Sequence, residues 1–143
     1  MPETETAAIL RYTARILTER GIHTGPQFAA PDGSLDICAA IYLAAYGKQP
    51  AEFETDEDYS TTLIELSYEA RQAIKALSAS LPTEPPTVES APGYEEPSHL
   101  EHVSRWASTP QFSDEQPPSP TEVIDHLVRT ADALDSAPQT LAA

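Results

Sequence analysis

The sequence predicts an all-α fold, a single-domain bundle of about five helices around one buried central helix, and three observations support this. Residues 37–46 are apolar or aromatic without interruption, in the order ICAAIYLAAY. Apolar residues recur at steps of three and four in the N-terminal segment and in residues 59–79, which is the period of an α-helix. Two S-x-x-E capping boxes, at residues 98–101 and 119–122, mark the starts of later helices.

The central helix is predicted over residues 34–46. A helix that is hydrophobic on all sides has no solvent face and therefore belongs in the middle of a protein. Asp32 or Ser34 is expected to cap its start, Asp36 to lie in its first turn, and Gly47 to end it. A buried β-strand is the alternative for an apolar run this short.

The first helix is predicted over residues 6–20 and the longest one over residues 59–79. The longest helix carries a heptad-like apolar stripe: Tyr59, Leu63, Leu66, Ala70, Ala73 and Leu77. We expect this stripe to pack against the central helix, with a dimer seam as the alternative.

Proline separates the helical segments. Residues 82–97 and 108–119 are expected to be proline-rich surface linkers, because a proline inside a helix removes a backbone donor and clashes with the preceding turn. Residues 136–143 are expected to form a frayed tail. We treat residues 1–143 as a single helical domain, since the length suits one domain.

The composition limits the classes of function. The chain has 23 acidic and 8 basic residues and a formal net charge of −15. Contacts to phosphate need Lys and Arg, so neither direct nucleic-acid binding nor binding to an anionic membrane is expected. One cysteine and the lack of an apolar segment after Met1 favour a reducing, cytoplasmic location.

The sequence contains no recognised catalytic motif. It has no glycine-rich phosphate loop, no H-E-x-x-H, no nucleophile elbow and no paired C-x-x-C. His99 and His102 are one turn apart, but Pro97 interrupts the spacing from Glu96, so we expect no metal site and no cofactor. Cys38, inside the apolar helix, is interpreted as a packed small hydrophobe. Enzymatic activity stays open, although a non-enzymatic role is favoured.

Two sets of residues are candidates for function. The loop at residues 21–33 and the adjacent helix offer polar and aromatic groups for a ligand cleft: His23, Gln27, Asp32, Tyr42 and Tyr46. The apolar stripe and the single tryptophan are candidates for an interface with a partner: Leu63, Leu66, Ala70, Ala73, Leu77 and Trp106.

The leading hypothesis is a non-enzymatic acidic protein that binds another protein or itself, the latter as a homodimer through residues 59–79. The first alternative is a small-molecule-binding protein or enzyme with a pocket between helix 34–46 and loop 21–33. The second alternative is a DNA mimic or anti-repressor, in which carboxylates would replace the phosphates of DNA.

Several short features occur in a fixed order along the chain. They are Gly21 and Gly25 after the first helix, then Asp32-Gly33, Ala40-Ile41, Trp106 and Glu122-Val123. In this order they resemble a family of small, uncharacterised actinobacterial proteins. The chain departs from the family pattern at Ile22, where tryptophan is usual, at Ala39, where glycine is usual, and at residues 106–108, where W-N-D is usual. The resemblance covers most of the chain and implies no activity.

Overall fold

The computed structural model describes residues 4–25, 27–107 and 117–136. Within these ranges the secondary structure consists of α1 (Glu5–Arg20), α2 (Ile37–Tyr46), a 3₁₀ turn (Ala51–Glu54), α3 (Glu57–Leu66), α4 (Tyr68–Ala79), β1 (Thr87–Ala91), β2 (Tyr94–Pro97), α5 (His99–Trp106) and α6 (Pro120–Ser136). The mainly helical class is confirmed. The two strands are a correction to the all-α prediction.

Helix α2 is the most buried element. Its first six residues are all buried, and it contacts α1, α3, α4 and α5. Its N-cap is Asp36, which corrects the prediction of Asp32 or Ser34. The helix cannot begin earlier because Leu35 is extended and bonded to the loop: its N–H donates to the Gly21 carbonyl at 3.1 Å, and its carbonyl accepts from the N–H of His23 at 2.8 Å.

The predicted long helix over residues 59–79 is two helices, and this is a second correction. Ser67 separates them with an extended conformation, φ −84° and ψ 112°. Its hydroxyl accepts a hydrogen bond from the N–H of Ala70 at 3.3 Å and so caps α4. The break turns Leu66 towards solvent, where its side chain is 78% exposed.

The proline-rich segment after α4 contains a β-hairpin. Strands β1 and β2 pair antiparallel, with Val88 opposite Glu96 and Glu89 opposite Glu95. Gly93, at φ 76°, supplies the left-handed conformation of the turn. Residues 82–97 therefore lack helix, as predicted, but part of the segment is an ordered and largely exposed hairpin.

Both predicted capping boxes are confirmed as helix starts. The Ser98 hydroxyl accepts from the N–H of Glu101 at 3.3 Å, and the Ser119 hydroxyl accepts from the N–H of Glu122 at 3.2 Å. Helix α1 packs most extensively on α6 and α2. Arg11 on α1 forms ion pairs with Asp132 and Asp135 on α6, at 2.8 and 2.7 Å.

Two further predictions fall partly outside the described residues. Residues 108–116 of the second predicted linker and residues 137–143 of the predicted tail are outside the described ranges. Across the part of the chain that the structure describes, no helix is both long and apolar enough to cross a bilayer.

Candidate functional site

Backbone hydrogen bonds hold the loop at residues 21–33 beside the start of α2. The N–H groups of Phe28 and Ala29 both donate to the carbonyl of Phe53, at 2.9 and 3.0 Å. The N–H of Asp36 donates to the carbonyl of Phe28 at 2.8 Å. The Phe28 and Phe53 rings pack with centroids 5.9 Å apart. These bonds place Gln27 and Asp36 next to one another in space.

Asp36 carries a buried carboxyl group. Its Oδ1 accepts from the N–H of Cys38 at 2.7 Å and from the Ser104 hydroxyl at 3.2 Å. Burial raises the pKa of this carboxyl from 3.8 to about 6, although both hydrogen bonds and the charge of His23 act in the opposite direction. The pKa of Asp36 is thus shifted towards neutral pH, and perturbed pKa values of this kind are frequent at functional sites.

Cys38 lies next to this carboxyl but is not a reactive thiol. Its sulfur is 3.5 Å from both the Leu100 carbonyl and the Ser104 hydroxyl. Burial, together with the negative charge of Asp36, raises the pKa of the thiol well above its ordinary value. The interpretation of Cys38 as a packed small residue agrees with this environment.

Gln27 has an unusual backbone and an unsatisfied side chain. It has a φ of 69°, the one positive φ found for a non-glycine residue in the described ranges. Its N–H donates to a carboxylate oxygen of Glu57 at 2.9 Å. Its side-chain oxygen Oε1 is buried and has no hydrogen-bond partner among the described residues. A strained residue that directs an unpaired acceptor inward is a candidate for ligand contact.

A cleft of about 500 Å³ lies between the loop, α3, β1 and α5, and we call it the Asp36 cleft. Its lining residues are Thr24, Gly25, Gln27, Phe28, Asp36, Glu57, Thr61, Glu65, Val88, Ser98, Leu100, Glu101, Ser104 and Arg105. Four of them are carboxylates and one is a cation, Arg105, which forms a 3.5 Å ion pair with Glu101. The Asp36 cleft is therefore strongly acidic.

A second cleft, of about 310 Å³, adjoins the first, and we call it the Lys75 cleft. Its polar lining includes Arg71, Lys75 and His99, together with Glu96 at the hairpin. Four residues line both clefts: Glu65, Val88, Ser98 and Leu100. The two clefts therefore lie side by side along α5.

The five predicted ligand residues do not converge on one cleft. Gln27 lines the Asp36 cleft, whereas His23 is not among its lining residues and acts on Asp36 through its charge. Asp32 has a structural role in its turn, because its Oδ1 accepts from both the N–H and the hydroxyl of Ser34. Tyr42 and Tyr46 pack on each other elsewhere, with centroids 5.4 Å apart.

The predicted interface residues divide between the core and the surface. Ala70, Ala73 and Leu77 are completely buried, and Trp106 is buried against the ring of His126 at 5.0 Å. The part of the stripe on α4 thus packs inside the protein, whereas a dimer seam would leave it exposed on the isolated chain. Leu66 is exposed and Leu63 is half-buried on α3.

A cluster of histidines and hydroxyls connects α4 to α5. The Ser78 hydroxyl lies 2.9 Å from Nδ1 of His99 and 2.7 Å from Nδ1 of His102. Thr83 lies 2.7 Å from Nε2 of His102. Burial lowers the pKa of both rings. The charge of Lys75 lowers the pKa of His99 further, and His99 lowers the pKa of His102 further. Within the described residues, no group of three or more His, Cys, Asp or Glu side chains is arranged to hold a metal ion.

Sequence reasoning missed most of the Asp36 cleft. Asp36 itself was interpreted only as a charge in the first turn of a helix, because its burial depends on α5. Glu57, Thr61 and Glu65 follow one another at four-residue steps on α3, so their common face was readable from the sequence. Nothing in the sequence showed that α5 would bring Ser104 and Glu101 to the same place.

The fold and the cleft define a small, mainly helical protein with an acidic ligand-sized cleft at the start of its most buried helix. The chain belongs to a family of unknown function, DUF6197, which matches residues 1–133. The predicted membership of an uncharacterised family is thereby confirmed. No curated protein and no solved structure matches the chain.

Proposed function

We propose that this protein binds a small molecule in the Asp36 cleft. The observation that carries the proposal is the buried carboxyl of Asp36 on the wall of a cleft of about 500 Å³. Small-molecule sites commonly measure roughly 300–1,000 Å³ and contain a few convergent polar groups. Ser104 is a second polar residue of this wall, and its hydroxyl donates to Oδ1 of Asp36.

The proposal concerns binding without covalent chemistry. The single cysteine of the chain, Cys38, is buried next to Asp36. Its raised pKa keeps the thiol protonated. The proposed site shares Gln27 with the pocket predicted between loop 21–33 and helix 34–46, whereas its other walls come from α3, β1 and α5.

A matched pair of variants tests this proposal. Thr61 lines the Asp36 cleft, whereas Thr62 is exposed and is not among its lining residues. A library of small neutral, cationic, anionic and zwitterionic compounds is titrated into ¹⁵N-labelled protein. We expect saturable shifts of the Gln27, Thr61 and Ser104 amides in the wild type and in Thr62→Trp. In Thr61→Trp, the indole fills the cleft and the shifts are lost.

Two results would contradict the proposal. One is a library in which no compound shifts those amides. The other is a compound that binds equally well to Thr61→Trp and to the wild type.

A second candidate function is self-association through an exposed apolar surface. Tyr46, Tyr59 and Leu66 are 63%, 50% and 78% exposed, and Leu63 lies between the last two on α3; we call these four residues the tyrosine face. Tyr59, Leu63 and Leu66 are at i, i+4 and i+7, so they share one side of the helix. Exposed apolar groups in one patch are typical of an interface.

Sedimentation equilibrium tests this second candidate. Leu66→Glu is expected to convert a dimer into a monomer, while Val128→Glu, at an exposed residue of α6, leaves the dimer intact. A wild-type protein that is monomeric at all concentrations would exclude self-association.

The cytoplasmic location, the lack of nucleic-acid and membrane binding, and the DNA-mimic alternative stay predictions.

A further inference from the structure

The two adjoining clefts differ in charge: carboxylates dominate the Asp36 cleft, whereas cations and carboxylates are equal in number in the Lys75 cleft. The Asp36 cleft contains Asp36, Glu57, Glu65 and Glu101, with Arg105 already paired to Glu101. The Lys75 cleft contains two cations, Arg71 and Lys75, and two carboxylates, Glu65 and Glu96. Because Glu65, Val88, Ser98 and Leu100 line both clefts, a ligand in one extends directly towards the other.

The cations of the Lys75 cleft stand out in this chain. The protein has only 8 Lys and Arg residues against 23 Asp and Glu. Arg71 and Lys75 are one turn apart on α4, so two like charges share a face, an arrangement that destabilises a helix. Among the described residues neither cation forms an ion pair. A bound anion would relieve this repulsion.

His99 adds a neutral polar group to the same cleft. Its Nδ1 lies 2.9 Å from the Ser78 hydroxyl, so a hydrogen bond fixes one ring nitrogen. The residue also lines the cleft. Glu96 and Glu65 are the acidic residues of this cleft. Glu65 is shared with the Asp36 cleft, so it lies where the two clefts meet.

The acidic cleft has its own requirement for a hydrogen-bond donor. Four carboxylates lie on its wall: Asp36, Glu57, Glu65 and Glu101. An ammonium or guanidinium group supplies several donors and a positive charge, which suits these carboxylates.

We infer that the two clefts together bind one ligand with a positive group at one end and a carboxylate or phosphate at the other. The inference rests on the proposed function and specifies the ligand class for that site. The ammonium end lies in the Asp36 cleft against the carboxylates. The anionic end lies in the Lys75 cleft between Arg71, Lys75 and His99. A ligand with only one charge would leave the other cleft unsatisfied.

Probes of graded length test the inference in the full chain. A series of ω-amino carboxylates of increasing chain length is compared with the alkylamine and the alkyl carboxylate of the same length, and with the ω-aminoalkyl phosphate. Affinity is measured by amide shifts at pH 7. We expect the affinity to peak at one chain length, and at that length to exceed both singly charged probes by about tenfold or more. The carboxylate and phosphate arms identify the preferred anion.

Charge-neutral variants separate the two ends. Arg71→Gln with Lys75→Gln is expected to reduce zwitterion affinity by about tenfold, to the level of the alkylamine, without changing alkylamine affinity. Glu57→Gln with Glu65→Gln is expected to weaken both the zwitterion and the alkylamine. The matched controls remove the same charges from exposed residues outside the two clefts: Arg15→Gln with Arg129→Gln, and Asp58→Asn with Glu69→Gln.

The possible failures are distinguishable. An alkylamine that binds as tightly as the best ω-amino carboxylate, and that Thr61→Trp excludes, would overturn the inference while leaving the proposed function intact. A zwitterion whose affinity is unchanged in the Arg71→Gln, Lys75→Gln protein would overturn it as well. Cleft amides that respond to no probe and to no compound in the wider library would overturn both.

Discussion

Asp36 combines two roles in one carboxyl group. As the N-cap of α2 it accepts the Cys38 N–H, which favours the ionised form. Its burial under α5 favours the neutral form, and burial is the larger effect. A cap that only stabilised its helix would sit in water with an ordinary pKa. The folded protein thus retains a carboxyl that is unfavourable when ionised, which is consistent with a role in binding.

Replacing Asp36 by asparagine tests this interpretation. The folded pKa of about 6 exceeds the ordinary 3.8, so the contribution of Asp36 to the free energy of unfolding is full below about pH 4 and falls as the pH rises through 6. Since one pKa unit corresponds to about 1.4 kcal/mol, and part of the effect is already present at pH 4, Asp36→Asn should gain about 2 kcal/mol relative to wild type between pH 4 and pH 7. Urea unfolding across this range measures the gain, and parallel profiles would refute it.

Gln27 offers a second residue-scale prediction. A left-handed φ is unfavourable for a residue with a side chain and neutral for glycine. Gln27→Gly is therefore expected to be more stable than Gln27→Ala by about 1 kcal/mol, because alanine keeps the strain that glycine relieves. Both variants remove the buried amide oxygen that has no hydrogen-bond partner among the described residues, so this loss does not affect the comparison between them. Equal stabilities of the two variants in urea would show that the backbone at Gln27 is not strained.

At the scale of elements, apolar periodicity and capping residues predicted the helices. The break within the predicted long helix and the β-hairpin were not predicted. The capping boxes at Ser98 and Ser119 were readable because a cap is formed within four residues. The break at Ser67 was missed because the apolar period continues across it, and the period was given more weight than a capping serine. The hairpin turn at Pro92-Gly93 was missed in the same way, since the prolines were interpreted only as breakers of helix.

The break between α3 and α4 has a direct test. Ser67→Ala removes the hydroxyl that caps α4 and is expected to lower the free energy of unfolding by about 1 kcal/mol. Thr62→Ala, at an exposed hydroxyl of α3, is the matched control and should change the value less. If the two variants are equally stable, the break is held by tertiary packing and not by the cap.

The junction of α4 and α5 depends on Ser78. A hydroxyl has one proton, so Ser78 accepts a hydrogen bond from at least one of the two imidazoles. Ser78→Ala leaves His102, which is buried, without its partner at Nδ1, and the expected loss is about 1–3 kcal/mol of stability. Thr18→Ala on α1, where the hydroxyl bonds only within its own helix, is the control. A loss no larger than that of the control would show that the cluster is not a structural connection.

At the scale of the whole molecule, the sequence predicted the fold class and the buried helix but only part of the candidate site. The Ala-rich run at α2 has one stable location, inside the protein, so its place followed from composition. Gln27 was included because it lies in the loop beside α2. Asp36 and Ser104 are 68 positions apart and meet only when α5 packs on α2. Side chains that converge from distant elements leave no pattern in a single sequence.

The charge of the molecule also has a different meaning in the folded state. A net charge of −15 indicated an acidic surface suited to cationic partners. In the structure four carboxylates and one cation line the Asp36 cleft, while two cations and two carboxylates line the Lys75 cleft. The net charge of the chain therefore conceals two neighbouring cations, Arg71 and Lys75, on which the proposed anion-binding end of the site depends.

The most direct measurement is the titration of the Asp36 carboxyl by ¹³C NMR, with Asp36→Asn used to assign the signal. In the free protein we expect a midpoint near pH 6. With a saturating ω-amino carboxylate of the best-binding length, the nearby ammonium should favour the carboxylate and lower the pKa by about one unit or more. A midpoint that the saturating probe does not move would contradict the proposal that this cleft binds a cationic group.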